Sequence, residues 1–442
     1  MVLKQWINPL LVGLLILFSM PLKLPALQQM LESLLSFSFP IRLSLYTLFL
    51  PPVALFCIVW NRKRAVEIWQ KLRLPLIVLA FLFCWMWLGA IMSDYPKIAL
   101  KHSGRYSIFL MTFLAFLFVL DRDSLKKSGH IFIGIYVLLM VLTFLGFHGQ
   151  SSIPSILEKF GLHIDLYFSR DHGIPKGAAL FSTSFFENRN PYSVVSVGVF
   201  FWCLANLRQS WILSSLGIIT SLYSLEISGS RNGIFTLVLC LLFLLILTFK
   251  KIHKVPTTFK LVLATTVVIG IVLSSINSKV VERTKVSFNR LQNVKTYSDL
   301  ESLDLRFTFY KSALKFGLEK SPILGSGSKT FGLEVISKSE DMRAYNNSYY
   351  KEHHLFHSHN ALLTIWIEMG WVGLIAVLLF LWLWFRPALR GPPLLMMPML
   401  AVCVGQILDY FVWEIFFMAF QSFFFAHFAA TITFQEMDQS PS

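Results

Sequence analysis

Four of the chain's eleven histidines fall within His353-His354-Leu355-Phe356-His357-Ser358-His359-Asn360, where a polar stretch runs straight into the apolar segment 361–385. A histidine at the mouth of an apolar helix sits in a medium of falling dielectric and exchanges a proton near neutral pH. That suits a general base, though a hydrated loop end carrying interfacial imidazoles is the plain alternative. His359 stands out because Asn360 follows it. After nine intervening residues comes Gly370-Trp371-Val372-Gly373, a small-x-x-small step that lets backbones approach closely, with Glu368 on the same segment. His353 and His357 share a helical spacing that could present two metal ligands, but no cysteine and few carboxylates accompany them, so neither metal nor cofactor is expected.

Arginines supply the complementary chemistry. Arg231 lies in Ile227-Ser-Gly-Ser-Arg-Asn-Gly233, a tight turn between two apolar runs. Guanidinium and turn amides together suit phosphate oxygens, unless the side chain merely reaches lipid head groups or pairs with Glu226. Arg306, in Asp304-Leu-Arg-Phe-Thr-Phe-Tyr310, offers a cation among aromatic rings for a sugar or phosphate; a salt bridge to Asp304 or Glu301 is the alternative. Asn188-Arg189-Asn190-Pro191 opens an apolar run, where an amide could bind sugar hydroxyls or cap the helix. Lys97, Lys101 and Arg105 recur every four residues, a basic stripe for a diphosphate or for lipid. The candidate substrate-binding residues are therefore Lys101, Arg105, Asn188, Arg189, Asn190, His357 and Asn360.

The elements that must position these residues are apolar. The chain has 442 residues, 55% hydrophobic and only 14% charged, and its apolar residues come in runs long enough to cross a bilayer, which excludes a soluble domain. Twelve spans are expected near 6–24, 41–60, 74–92, 106–120, 130–147, 192–207, 211–227, 233–249, 259–275, 360–385, 393–410 and 413–432. The first is an uncleaved helix, lacking a small-x-small cleavage site. The net charge of +15 is clustered between runs rather than on a soluble face, so anionic lipid or a phosphate-bearing substrate is the expected partner and nucleic acid is not. All five cysteines lie inside apolar runs as small core residues.

With the N-terminus inside, the inner connections carry Arg62-Lys63-Arg64, Arg122 with Lys126 and Lys127, Arg208, Lys250 with Lys251, and Arg386 with Arg390. Each is basic, as orientation by inner positive charge requires, and both termini fall inside. Two long segments then lie outside, 148–190 and 276–358. The organisation is residues 1–275 as spans one to nine, 276–358 as a large outer loop, and 359–442 as spans ten to twelve with a tail. The loop's apolar positions over 303–318 recur at helical spacing and precede a Pro/Gly turn at 319–328, predicting a short helix at the outer face.

Taken together, Ser228-Gly-Ser-Arg231-Asn-Gly, Asp304-Leu-Arg306 followed by Pro322-Ile-Leu-Gly325-Ser-Gly327, and His359-Asn360 before Gly370-x-x-Gly373 resemble the O-antigen ligase and polymerase superfamily of bacterial envelopes. Phe186-x-Asn188-Arg-Asn190-Pro is similar to that family's asparagine motif. The resemblance implies an all-α polytopic membrane protein of the C-type glycosyltransferase architecture, metal-independent and inverting. Such enzymes take a glycan from undecaprenyl diphosphate at the periplasmic face of the inner membrane. Ligases pass it to the lipid A core oligosaccharide; polymerases join repeat units. Arg231, Arg306 and His359 would be the catalytic residues. The His-Asn with its downstream glycine pair leans towards the ligases, while Arg306 with Gly317 matches a spacing of some polymerases. A lipid-linked glycan transporter is the alternative from another class, and a protein oligosaccharyltransferase one from within the enzymes.

Overall fold

The computed structural model describes residues 2–20, 45–149, 168–169, 181–182, 189–249, 305–320, 323–336, 358–387, 393–409 and 415–439. In chain order the long helices are α1 (Val2–Phe18), α2 (Leu50–Trp60), α3 (Ala65–Ile91), α4 (Pro96–Val119), α5 (Leu125–Gly149), α6 (Arg189–Asn206), α7 (Trp211–Ser228), α8 (Arg231–Phe249), α9 (Leu305–Lys320), α10 (Ala361–Phe385), α11 (Pro393–Leu408) and α12 (Ile415–Gln439). Two strands of two residues each, β1 (Phe168–Ser169) and β2 (Phe181–Ser182), pair antiparallel between α5 and α6.

Eleven of the twelve segments expected as spans lie on helices; the segment 259–275 is outside the described residues. Among the described residues five helices are long and apolar enough to cross a membrane, those over Arg62–Ile91, Pro96–Val119, Leu125–Phe144, Trp211–Ser228 and Ala361–Phe385, and others are apolar but shorter. Pro51 and Pro52 explain one shortening. They suit the first turn of a helix and no later position, so the expected run 41–60 divides into Leu45–Leu48 and α2. The large apolar residues turned outward, such as Leu74, Ile77 and Phe81 on α3 and Ile375 and Leu378 on α10, mark faces made for lipid rather than water. The chain is a multi-pass membrane protein.

α6 is the axis of the bundle. It is buried on every side from residue 191 to 203, as expected of a helix ringed by other helices; α7, α8, α11 and α12 pack around it. Phe132 of α5 stacks on Phe423 of α12 at 3.9 Å, and Phe420, Phe424 and Trp202 close on the same rings. Two glycines bring the helices that matter for function against α6. A Cβ at Gly233 of α8 would stand 2.4 Å from the Ser193 Cβ, and one at Gly405 of α11 would stand 2.5 Å from both Val194 methyls. Without side chains there, the start of α8 and the end of α11 both close on the first turn of α6.

α9 confirms the helix expected over 303–318 and packs on α10, its Gly317 facing the Trp366 ring. α10 is not one continuous helix. Gly370 has φ +68 and ψ −174, which breaks the ladder and leaves the preceding carbonyls without amide donors from the next turn. Other elements satisfy them: Ser326 N–H donates to Ile367 O, Gly327 N–H to Glu368 O, and the Trp85 indole of α3 to Met369 O at 2.9 Å. The facing loop thus approaches the backbone at Ile367 and Glu368, just before the glycine pair, whereas Gly373 faces the Met369 side chain of its own helix. Gly325, at φ +81, lies so near the Glu368 main chain that a Cβ would stand 2.4 Å from it. Glu368 itself turns to this loop, accepting from Phe331 N–H at 3.4 Å, rather than towards His359.

Candidate active site

Asn360 starts α10 by accepting a hydrogen bond from Leu363 N–H at 3.0 Å, the reciprocal satisfaction expected of an N-cap. Ser358 is buried just before it and bonds both Thr364 and the Asn360 carbonyl. Between these two anchors His359 is held at φ +56, a left-handed conformation that a non-glycine residue adopts only when its surroundings impose it. Its ring stacks on Phe309 of α9 at 5.6 Å, and the Tyr310 hydroxyl donates to its carbonyl at 3.4 Å. Arg306, Phe309 and Tyr310, at helical spacing, thus turn one face of α9 to the histidine.

The centre of the site is a residue that the sequence motifs do not include. Asp409, just beyond the last turn of α11, is 3% exposed at its side chain and receives donors from three directions. His359 Nδ1–H donates to Oδ1 at 2.9 Å, Asn190 Nδ2 donates to Oδ2 at 2.6 Å, and the Arg306 guanidinium lies 3.9 Å from Oδ2. A carboxylate only accepts, so this geometry puts the histidine's proton on Nδ1 and makes Nε2 the basic nitrogen of the ring. A buried charge of this kind is tolerated only when paired and hydrogen-bonded. The cue was present in the sequence: a lone carboxylate closing the apolar run 393–408 is costly in a membrane protein unless it has a use.

Asn190 was expected to cap its helix or to meet sugar hydroxyls. Instead it is a tie. Its amide donates to Asp409 while its carbonyl oxygen accepts from the Ser230 hydroxyl at 2.7 Å. Ser230 in turn leads into α8, its Oγ facing Gly233 N–H at 3.4 Å, and Gly229 ends α7 in the left-handed conformation at φ +55. Asn232 Nδ2 donates to the Gly405 carbonyl at 3.3 Å. Arg231 is therefore clamped by both sequence neighbours to the surroundings of Asp409, with its own side chain exposed at the amino end of α8. A helix amino end and a guanidinium together favour an anion.

The structure thus brings His359, Arg306, Asn190 and the backbone of Arg231 around one carboxylate. Arg306 is 34% exposed and at ion-pair rather than hydrogen-bond distance from Asp409. Asn360 lies at the edge of the group with its amide oxygen occupied by capping. Lys101 and Arg105 stand elsewhere, on α4, where Arg105 donates to the Tyr46 hydroxyl at 3.5 Å. Asn188, His357 and the Arg189 side chain lie outside the described residues.

A histidine base held by a carboxylate, with the Arg306 guanidinium beside it and Arg231 on a turn tied to the same carboxylate through Ser230 and Asn190, can deprotonate a hydroxyl while stabilising charge on an anionic leaving group. No curated protein matches the chain. Residues 216–378 match the family model described as O-antigen ligase; this segment holds Arg231, Arg306 and His359, while Asn190 and Asp409 flank it on either side. Over that segment the chain is similar to the O-antigen ligase family.

Proposed function

We propose that the chain is an O-antigen ligase, transferring a glycan from undecaprenyl diphosphate to the lipid A core oligosaccharide at the periplasmic face of the inner membrane. The observation that carries this reading is the His359–Asp409 hydrogen bond, which holds the ring proton on Nδ1 and so makes Nε2 the basic nitrogen, on a histidine whose carboxylate also faces Arg306. The family supports an O-antigen ligase or polymerase type of function at a membrane. In the transfer, His359 Nε2 removes the proton from an acceptor hydroxyl as its oxygen forms a bond to the donor's anomeric carbon. The bond from that carbon to the diphosphate oxygen breaks on the opposite face, inverting the centre. The leaving diphosphate gathers negative charge, which Arg306 and Arg231 stabilise, and His359 then returns its proton to solvent. Losing either arginine is expected to cost about 2–4 kcal/mol of transition-state stabilisation, by analogy with an oxyanion donor.

The topology that goes with this reading has twelve spans and both termini in the cytoplasm. Residues 1–275 form spans one to nine, with an outer segment at 148–190. Residues 276–358 form a periplasmic loop containing α9, and 359–442 hold the last three spans. The basic inner connections support it. The His-Asn with its glycine pair favours ligation over polymerisation.

The test is the lipopolysaccharide ladder of a strain lacking the protein, complemented with wild type, His359→Ala, Arg231→Ala or Arg306→Ala. Loss of every O-antigen-bearing band, with long glycan accumulating on the lipid carrier, establishes ligation. A single repeat on the core establishes polymerisation. A normal ladder in all strains refutes both and favours a transporter.

A further inference from the structure

The turn before Arg231 carries Ser228 and Ser230, and the second of them does two things at once. Ser228 donates its hydroxyl to Leu225 O at 2.9 Å and accepts from Ser230 N–H at 3.3 Å, which fixes the path of the turn. Ser230 is the N-cap of α8. Its main-chain carbonyl accepts from Ile234 N–H at 3.3 Å and its Oγ from Gly233 N–H at 3.4 Å, as a capping serine does. Capping uses only the lone pairs of the hydroxyl. Its proton goes elsewhere, to the Asn190 side-chain carbonyl at 2.7 Å.

That bond decides which way Asn190 points. The two ends of a primary amide have nearly the same shape and are told apart only by their partners. With Ser230 donating to Oδ1, Nδ2 must face Asp409, to which it donates at 2.6 Å. Turned over, the amide would set its oxygen against a carboxylate, which has no proton to offer. Without the serine hydroxyl, the present orientation leaves Oδ1 unpaired beside a residue only 1% exposed, and a buried acceptor without a partner is strongly unfavourable. Each orientation then has one bad contact, and the preference for the present one is lost. The neighbouring serines do not replace the donor. Ser193 gives its hydroxyl proton to the Asn190 main-chain carbonyl at 2.7 Å, and Ser228 gives its own to Leu225 O.

We propose that Ser230 is a positioning residue for His359, acting through Asn190 and Asp409. The bonds run from Gly233 N–H to Ser230 Oγ, from the Ser230 hydroxyl to Asn190 Oδ1, and from Asn190 Nδ2 to Asp409 Oδ2. They end where His359 Nδ1–H donates to Asp409 Oδ1 at 2.9 Å. The direction of each is fixed by the next, so the turn that carries Arg231 also sets the place of the proton on His359. One set of bonds thus assembles the cation meant for the leaving group and the base meant for the acceptor. The inference rests on the reading of His359 as that base, and it holds whether the glycan passes to a core oligosaccharide or to another repeat unit.

Steady-state kinetics of the purified full-length protein test it, with lipid-linked O-antigen as donor and both a core oligosaccharide and a lipid-linked repeat unit offered as acceptors. Ser230→Gly is the main variant, because glycine caps a helix almost as well as serine and lacks the donor. It is expected to lower kcat by about 3- to 10-fold, with KM for the lipid-linked donor within about twofold and melting as in wild type. A residue that acts through Asp409 has nothing to act on once the carboxylate is gone. In an Asp409→Asn background the same change is therefore expected to lower kcat by less than about twofold. A variant that melts earlier and raises KM at unchanged kcat makes Ser230 a cap alone and overturns the proposal, as does a full further loss in the Asp409→Asn background. If Ser230→Gly does not fold, Ser230→Ala takes its place in the same comparison. His359→Ala is the control. Wild-type kcat in that variant overturns the reading of the base and this proposal with it; an inactive His359→Ala beside a Ser230→Gly within about twofold of wild type overturns the role of Ser230 alone.

Discussion

Asp409→Asn is the most informative single change in this protein, because it keeps the volume of the side chain and removes only what the carboxylate does. In the native site one oxygen accepts from His359 Nδ1–H at 2.9 Å and the other from Asn190 Nδ2 at 2.6 Å. An asparagine can satisfy only one of these donors with its oxygen, and its amide group must face the other. If the oxygen stays with His359, two amide donors collide at Asn190. If it turns to Asn190, the histidine must accept at Nδ1 and carry its proton on Nε2, where it can no longer act as a base. Hydrogen bonds to a charged group contribute about 1.5–3 kcal/mol each, so losing the one that orients His359 corresponds to roughly a 10- to 150-fold fall in kcat. KM is expected to change little, since Asp409 is buried behind the histidine. The assay is transfer of lipid-linked glycan to a core acceptor by the purified protein, with thermal unfolding checked in parallel. A variant that melts with wild type and keeps kcat within about threefold would show that Asp409 has no part in activating His359.

Two further substitutions probe the frame. Gly405→Ala places a methyl 2.5 Å from the Val194 side chain and must push α11 off α6; overpacking of this kind costs about 1–3 kcal/mol, read as a lower melting temperature together with lower transfer activity, because Asp409 moves with α11. Asn360→Ala removes the cap on Leu363 N–H and is expected to cost about 0.5–2 kcal/mol of stability. Asn360→Asp restores the cap but not the amide donor, so activity retained by Asp and stability lost by Ala would confine Asn360 to capping. Activity lost in both would give it a substrate contact as well.

The sequence made the helices legible, because a run of twenty apolar residues has few folds open to it in a bilayer. It also singled out His359, Arg231 and Arg306 as candidates, since polar side chains at the edges of such runs need a reason. What it did not display was their meeting. Asp409 joins residues from 190, 306 and 359, and nothing local in Gln406-Ile-Leu-Asp409 announces those partners. Asn190 looked like a cap because capping is what its position next to a helix start suggests; its actual bonds are to residues 230 and 409. Glu368 looked like part of the histidine site because it shares α10, but its carboxylate turns to the loop carrying Phe331. Periodicity reports which face of a helix is apolar and is silent about which long-range neighbour a polar group finds.

The break at Gly370 divides the molecule along a line that crosses its chemistry. The first third of α10, with α9 and the loop that caps its severed carbonyls, forms an upper piece carrying His359 and Arg306. The bundle around α6 forms a lower piece carrying Asp409, Asn190 and the turn at Arg231. His359 and Arg306 meet Asp409 across the seam between these pieces. A displacement wide enough to admit a long polysaccharide along that seam would part the base from its carboxylate, so the base would be armed only once the two pieces had closed.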